Sequence, residues 1–376
     1  MIQPPDTTVP HVVQPNFHVG FDSITKQIEK RLLKRGFQFN IMVVGQSGLG
    51  KTTLVNSLFA SHLAATSGRV NPKEKLISTP KIKVVSHTIE ENGVHLKINI
   101  IDTPGYGDQI NNEGCWDPIH KYIKEQHVLY LLQELNAQRK PHISDTRVHC
   151  VLFFIQPNGH GLKPIDITVL KKLSEIANVV PVIAKSDSMT IAEREVFKII
   201  LQKEFAYYQL CLYPNNLEDY DEEEHHVNAR IRQIIPFAIV GSEKLINVDG
   251  KQIRGRKTRC GIIDIEDEAH CEFPHLRNFL ISTRLQDLIE TTALIHYEKF
   301  RFSRLIALKE NSSSQSGSNT NGSSTASQHQ KQHRQLVTAG AAPMVSSINN
   351  GTLSKHLVQI NNTIPAADTP HYPQGI

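Results

Sequence analysis

The chain has 376 residues, 39% hydrophobic and 21% charged, with a formal net charge of +4. This is ordinary globular composition, and at about 150 residues per domain the length suits two units or one large one. No apolar run approaches the ~20 residues of a membrane span. The start, with Asp6 and prolines at 4, 5, 10 and 15, is unlike a secretory leader, and Ile2 and the closing Tyr-Pro-Gln-Gly-Ile are unlike lipidation signals. Five cysteines without a Cys-x-x-Cys spacing favour neither zinc nor a disulfide framework, so a reducing cytoplasm is expected. The mild charge leaves no expectation of a nucleic-acid partner.

Residues 1–20 read as a disordered tail. Residues 21–36 read as a helix capped by Asp22 or Ser23, with Ile24, Ile28 and Leu32 on one face. Lys30, Arg31, Lys34 and Arg35 crowd four cations into six positions. Such a run suits anionic headgroups or a solvated, salt-bridged face, and charge alone barely separates the two.

Phe39 to Val44 reads as a buried strand running into Gly45-Gln46-Ser47-Gly48-Leu49-Gly50-Lys51-Thr52-Thr53 and then a helix. This is a complete phosphate-binding loop between strand and helix. Glycines 45, 48 and 50 let backbone N–H groups converge on phosphate oxygens, and the helix N-terminus adds partial positive charge. Lys51 is expected to reach the β/γ-phosphates and Thr52 to ligate Mg²⁺.

Lys81 to Ile89 and Val94 to Ile101 alternate about an Asn92-Gly93 turn, as a hairpin does. The second strand delivers Asp102-Thr-Pro-Gly105, where Asp102 suits the outer sphere of Mg²⁺ and Gly105 can offer its N–H to a γ-phosphate. Asn178 to Ala184 is a further apolar strand, ending at Lys185-Ser-Asp187. A carboxylate there accepts the ring N–H and the amine of guanine, which adenine does not offer, while the Lys185 stem covers the base. Most G proteins have Asn where this chain has Ala184, so one brace of that loop is missing. GTP or GDP with Mg²⁺ is the expected ligand.

The residues between these motifs carry a resemblance. Asp102-Thr-Pro-Gly-Tyr-Gly-Asp108, Asp145-Thr-Arg-Val-His-Cys150, Gly159-His-Gly-Leu-Lys-Pro164, Ala184-Lys-Ser-Asp187, Val240-Gly-Ser242, Gly255-Arg-Lys-Thr258 and Leu285-Gln-Asp287 stand in the order and spacing of the septins, over about residues 20–309. Within that family the chain resembles the fungal cell-division septins that lack a C-terminal coiled coil. The resemblance implies an α/β P-loop fold of the Ras-like G-domain type, with a mostly parallel central sheet flanked by helices and a C-terminal septin-specific element. It divides the chain into the tail 1–20, the basic helix 21–36, a GTP-binding domain 37–242, the septin-specific element and terminal helices 243–310, and a disordered tail 311–376. That last tail holds 11 serines and only the charges Lys331, Arg334, Lys355 and Asp368.

The resemblance also assigns residues. Gly241 matches a backbone contact to guanine, Arg256 an arginine lying against the base, and His160 a histidine reaching across a subunit interface. Thr79 matches the switch threonine that holds the attacking water and the Mg²⁺ shell; by itself it is only a hydroxyl before a strand. Tyr106 follows Gly105 where small G proteins have the water-orienting glutamine, so hydrolysis is expected to be slow and to depend on Thr79. Septins commonly carry Trp where this chain has Cys260, which removes apolar area from the nucleotide-side interface unless neighbours compensate. The acidic residues Glu218, Asp219 and Asp221 to Glu224 match a stretch that can meet the basic helix of another subunit.

Residues 276, 279, 280, 285, 288, 289 and 295 give a helical apolar stripe, part of it expected on the sheet and the last part against another subunit. The 19 histidines form no metal-binding pattern and are expected at the surface. The resulting expectation is a filament subunit that joins other septins through two interfaces. It would bind phosphoinositide membranes through the basic helix and sit in a septin ring or collar at the division site and cell cortex. The rival is a soluble regulatory GTPase switch acting through effectors.

Overall fold

The computed structural model describes residues 22–58, 82–91, 93–107, 112–138, 143–214, 222–248, 250–258 and 261–316. Helix α1, Asp22–Arg35, precedes strand β1, Phe37–Gly45, which runs through the phosphate loop into α2, Lys51–Leu58. The expected hairpin follows as β2, Lys83–Glu91, and β3, Val94–Asp102. Beyond it come α3, Asp117–Leu135, β4, Cys150–Ile155, α4, Pro164–Ser174, β5, Val179–Ile183, α5, Ile191–Tyr207, α6, Glu222–Ile234, and β6, Phe237–Ala238. Pro164 opens α4 and Pro118 lies in the first turn of α3, positions that need no amide hydrogen.

The six strands lie in the order β2-β3-β1-β4-β5-β6; β2 is antiparallel to β3 and every other pairing is parallel. Because β1 has β3 on one side and β4 on the other, the connections leave its C-terminal end in opposite directions. That is the crevice where open α/β sheets bind ligands. Alternate residues of β1 feed two cores. Phe39, Ile41 and Val43 pack with Leu54, Leu152 and Val182, while Met42 and Val44 pack with Ile123, Leu170 and Phe197. Burial on both faces explains why β4 is apolar throughout and β1 is apolar from Ile41 to Val44.

The first of these cores is completed by the C-terminal helices. A three-stranded antiparallel meander, β7 (Leu245–Val248), β8 (Lys251–Thr258) and β9 (Gly261–Asp264), is followed by α7, Phe273–Arg277, and α8, Leu285–Thr291. Phe273, Leu276, Phe279, Leu280 and Leu288 are buried on the sheet, as the apolar stripe suggested. The last helix, α9, runs from Glu298 to Ser316, beyond the expected end of order at residue 310. Once nucleated, a helix continues through residues of middling propensity at little cost. Phe302, Leu305 and Ile306 on α9 are exposed in the single chain, as are Ile24, Ile28 and Leu32 on α1.

The histidine expectation is corrected. His127, His149 and His296 are buried, because protein groups replace water around them. His149 Nδ1 accepts the Asn40 N–H at 3.2 Å, and His296 Nε2 lies 3.0 Å from Asn178 Oδ1. His127 packs against Tyr297 and Phe300. Burial pushes His127 down to about 3, helped by the Arg147 charge, and His296 down to about 4, helped by Lys299. Among the described residues no helix is long and apolar enough to cross a membrane.

Candidate functional site

A cleft of about 870 Å³ opens at the C-terminal ends of β1, β3 and β5, lined by the phosphate loop at one end and by Lys185, Gly241 and Arg256 at the other. Gly48 and Gly50 take φ values of 77° and 87°, in the left-handed region where side chains are strained. Gly45 has a different reason to be glycine. A Cβ there would lie 2.7 Å from Phe154 Cβ, so it permits close packing of β1 on β4 rather than access to phosphate.

Lys51 is buried, and its ammonium donates to the carbonyls of Gly45 at 2.9 Å and Gln46 at 3.0 Å. Those bonds hold the cation at the mouth of the loop, with Ser47 and Leu49 lining the same end of the cleft. The Thr52 hydroxyl donates to Asp102 Oδ2 at 3.4 Å, and the other oxygen, Oδ1, is buried without a partner among the described residues. Burial raises the Asp102 pKa, opposed by the charge of Lys51. A hydroxyl beside an under-satisfied carboxylate fits Mg²⁺, which keeps several waters and takes its remaining ligands from phosphates. No group of three or more acidic, His or Cys side chains forms a self-sufficient metal cage among the described residues.

At the other end, Lys185 holds φ 48° and ψ 48° and begins a short 3₁₀ turn, Ser186–Ser188. Ala184 lacks a bracing side chain, and the backbone supplies the brace. The Ala184 N–H donates to Ile155 O at 3.0 Å and the Ser186 N–H to Ile239 O at 3.1 Å, while Ser188 Oγ donates to Lys185 O at 2.9 Å. Asp187 is set back, its side chain 8% exposed, with Oδ2 bonded by Arg256 at 3.0 Å and Oδ1 buried without a partner among the described residues. Arg256, expected against the base, thus stands beside the carboxylate that would read it. Gly241 lies so close to α2 that a Cβ would sit 3.2 Å from Leu54 Cα, and this approach brings the 240–242 loop beside the phosphate helix.

The structure therefore gathers Ser47 to Thr53, Asp102, Gly105, Lys185, Gly241 and Arg256 around one crevice, with Asp187 tied to it through Arg256 and Gly45 and Gln46 through Lys51. His160 is exposed on a separate loop, its N–H donating to Asn158 Oδ1 at 3.0 Å. Thr79, Cys260 and the acidic residues 218–221 lie outside the described residues. Lys30, Arg31 and Lys34 are exposed on α1; the Arg35 side chain is outside the description. The sequence reading missed Gln46 and Lys163 as partners. Lys163 donates to Gln46 Oε1 at 3.1 Å across the cleft wall, and no local pattern announces a contact of that separation.

The septin family model matches residues 35–314. The chain belongs to the septin family. It is 61% identical to Cell division control protein 10 of Candida albicans over 312 residues, covering 83% of this chain and 87% of the relative. It is 58% identical to Septin homolog spn2 of Schizosaccharomyces pombe over 305 residues, 81% of this chain and 92% of that one. A crystal structure of the septin GTPase domain from Chlamydomonas reinhardtii superposes with a TM-score of 0.52 at 25% identity, covering 70% of this septin and 98% of that chain. The P-loop α/β architecture expected from the sequence is thus the septin GTPase-domain fold.

Proposed function

We propose that this septin binds GTP with Mg²⁺, hydrolyses it slowly, and serves chiefly as a subunit of hetero-oligomeric filaments that scaffold cytokinesis at the division site. The observation that carries the reading is a crevice lined at one end by Asp102 and at the other by Arg256, which holds Asp187, each carboxylate keeping one buried oxygen without a partner among the described residues. Buried acceptors without donors are costly, and a ligand with matching donors recovers that cost. Guanine supplies two N–H donors to Asp187, while Lys51 and the N-terminus of α2 face the phosphates. Mg²⁺ would be held through Thr52, with Asp102 ordering its water shell, and would neutralise charge developing on the phosphates.

Slow turnover follows from Tyr106, which is buried and bonded to Asp166 at 2.7 Å, leaving no side chain at that position to orient water. Thr79 takes that role in this account. His160, exposed at a loop tip, suits a contact across a subunit interface, and the open apolar stripes of α1 and α9 suit a second one. Lys30, Arg31, Lys34 and Arg35 supply the phosphoinositide contact.

The test is reconstitution of the full chain with the other septins of its cell, read by sedimentation and electron microscopy at low salt. Stoichiometric incorporation and linear filaments are expected. A chain that stays monomeric and turns over GTP rapidly only with an activating partner would be a soluble switch instead.

A further inference from the structure

Three elements that the nucleotide reading treats separately are bonded to one another behind the phosphate end of the cleft. Tyr106 and Asp166 are 3% and 4% exposed, and the phenol donates to Asp166 Oδ1 at 2.7 Å. Asp166 stands in the first turn of α4. Burial raises the Tyr106 pKa well above its usual value, so the phenol stays the proton donor. The Tyr106 ring packs on Phe153 of β4 at 5.8 Å. Next to it, a Cβ on Gly107 would lie 3.4 Å from Gln46 Nε2 and 3.7 Å from Ile165 Cδ1, so this loop touches both the phosphate loop and α4. Lys163 closes the circuit, donating to Gln46 Oε1 at 3.1 Å and to Gln156 Oε1 at 2.5 Å.

We propose that Tyr106 and Asp166 are a positioning pair whose hydrogen bond holds the Asp102–Gly107 loop against α4, fixing the Gly105 N–H where it distinguishes a nucleoside triphosphate from a diphosphate. The inference rests on the nucleotide reading above and adds a residue pair that never touches the ligand. Among the described residues, Thr103 Oγ1 donates to Val43 O at 2.8 Å, which anchors the start of the Asp102–Gly107 loop, and the Tyr106 phenol anchors the far side of Gly105. With only the first anchor, the backbone at Gly105 gains freedom that a γ-phosphate contact must remove again, whereas a diphosphate never makes that contact.

The experiment compares full-length wild type with Tyr106→Phe, which removes one hydroxyl and keeps the ring. Affinities for GDP and for a slowly hydrolysed GTP analogue are measured with Mg²⁺, alongside thermal unfolding. Triphosphate affinity is expected to fall about threefold to tenfold, the usual worth of one hydrogen bond, with GDP affinity unchanged. Asp166→Asn, whose side-chain carbonyl still accepts the phenol proton, is expected to retain the wild-type ratio of the two affinities. Equal changes for both nucleotides, or none, would make the pair merely structural and overturn the proposal. A ratio lost in Asp166→Asn but kept in Tyr106→Phe would assign the effect to the start of α4 and overturn it too. Wild type that binds neither nucleotide would instead refute the nucleotide reading itself.

Discussion

Asp187 presents two oxygens in unequal surroundings, one bonded by Arg256 and one buried without a partner among the described residues. If that carboxylate reads guanine, Asp187→Asn turns an acceptor into a donor facing donors. Hydrogen bonds to charged groups are worth about 1.5–3 kcal/mol, so guanine-nucleotide affinity is expected to fall roughly 10- to 100-fold in competition titrations. Xanthine nucleotides, which offer a carbonyl where guanine has its amine, are expected to gain. An unchanged preference for GTP over ATP would remove Asp187 from the base site. At the phosphate end, Thr52→Ala is expected to weaken the Mg²⁺ dependence of nucleotide retention by about tenfold, read by release rates with and without chelator. These residues were legible because each sits in a short motif at a strand end. The Arg256–Asp187 pair was not, since its partners are far apart in sequence and meet only when β8 folds over the cleft.

Elements are joined at the other end of the strands, just before β4 and β5 begin, by a buried polar network. Arg147 donates to Asp145 through Nε at 2.9 Å and Nη2 at 2.7 Å, and its guanidinium lies 4.0 Å from the Tyr130 ring and 4.8 Å from that of Tyr297. Asn178 donates to His149 O, Leu288 O and Thr292 Oγ1, each at 3.0 Å, tying β4, β5 and α8 together. Burial pushes the Asp145 carboxyl up, yet the bonds from Arg147 and the His149 ring, its Nε2 3.2 Å from Asp145 Oδ2, outweigh it and hold the group below the usual range. Arg147→Met would leave that carboxylate buried and uncompensated, at an expected cost of about 3–5 kcal/mol in urea unfolding. A loss under 1 kcal/mol would show the network to be dispensable.

The same elements set a pH dependence. His127 and His296, depressed to about 3 and about 4, bind protons more readily unfolded than folded. Stability is therefore complete above about pH 6.5 and falls as pH drops toward 4, with loss of Asp145 pairing adding below that. The urea midpoint should decline over that range, and less steeply in His296→Asn; a flat profile would contradict the burial of these rings. The signature residues 145–150 announced a family but not this network, because its bonds span the chain from Asn40 to His296. The meander β7–β9 was equally hard to read, its strands being short and half exposed and β8 and β9 showing no clean alternation.

On the scale of the whole molecule, one side holds the nucleotide cleft and the exposed loop of His160, while α1 and α9 each leave an apolar stripe open. Lys30, Arg31 and Lys34 are exposed on α1 and pair with no acidic side chain among the described residues. Each basic residue near an anionic surface contributes about 1 kcal/mol, so replacing all four cations of the run by Gln should weaken binding to phosphoinositide vesicles by up to about a thousandfold. Nucleotide content should not change. Vesicle binding that persists would transfer α1 to a purely assembly role. The most direct test of the proposed guanine-nucleotide site is the identity and amount of nucleotide released when the purified full-length protein is denatured and chromatographed. Near-stoichiometric GDP or GTP is predicted, GDP indicating that turnover occurs. Adenine nucleotide in that pocket, or none after purification with Mg²⁺ and no gain on adding GTP, would contradict it.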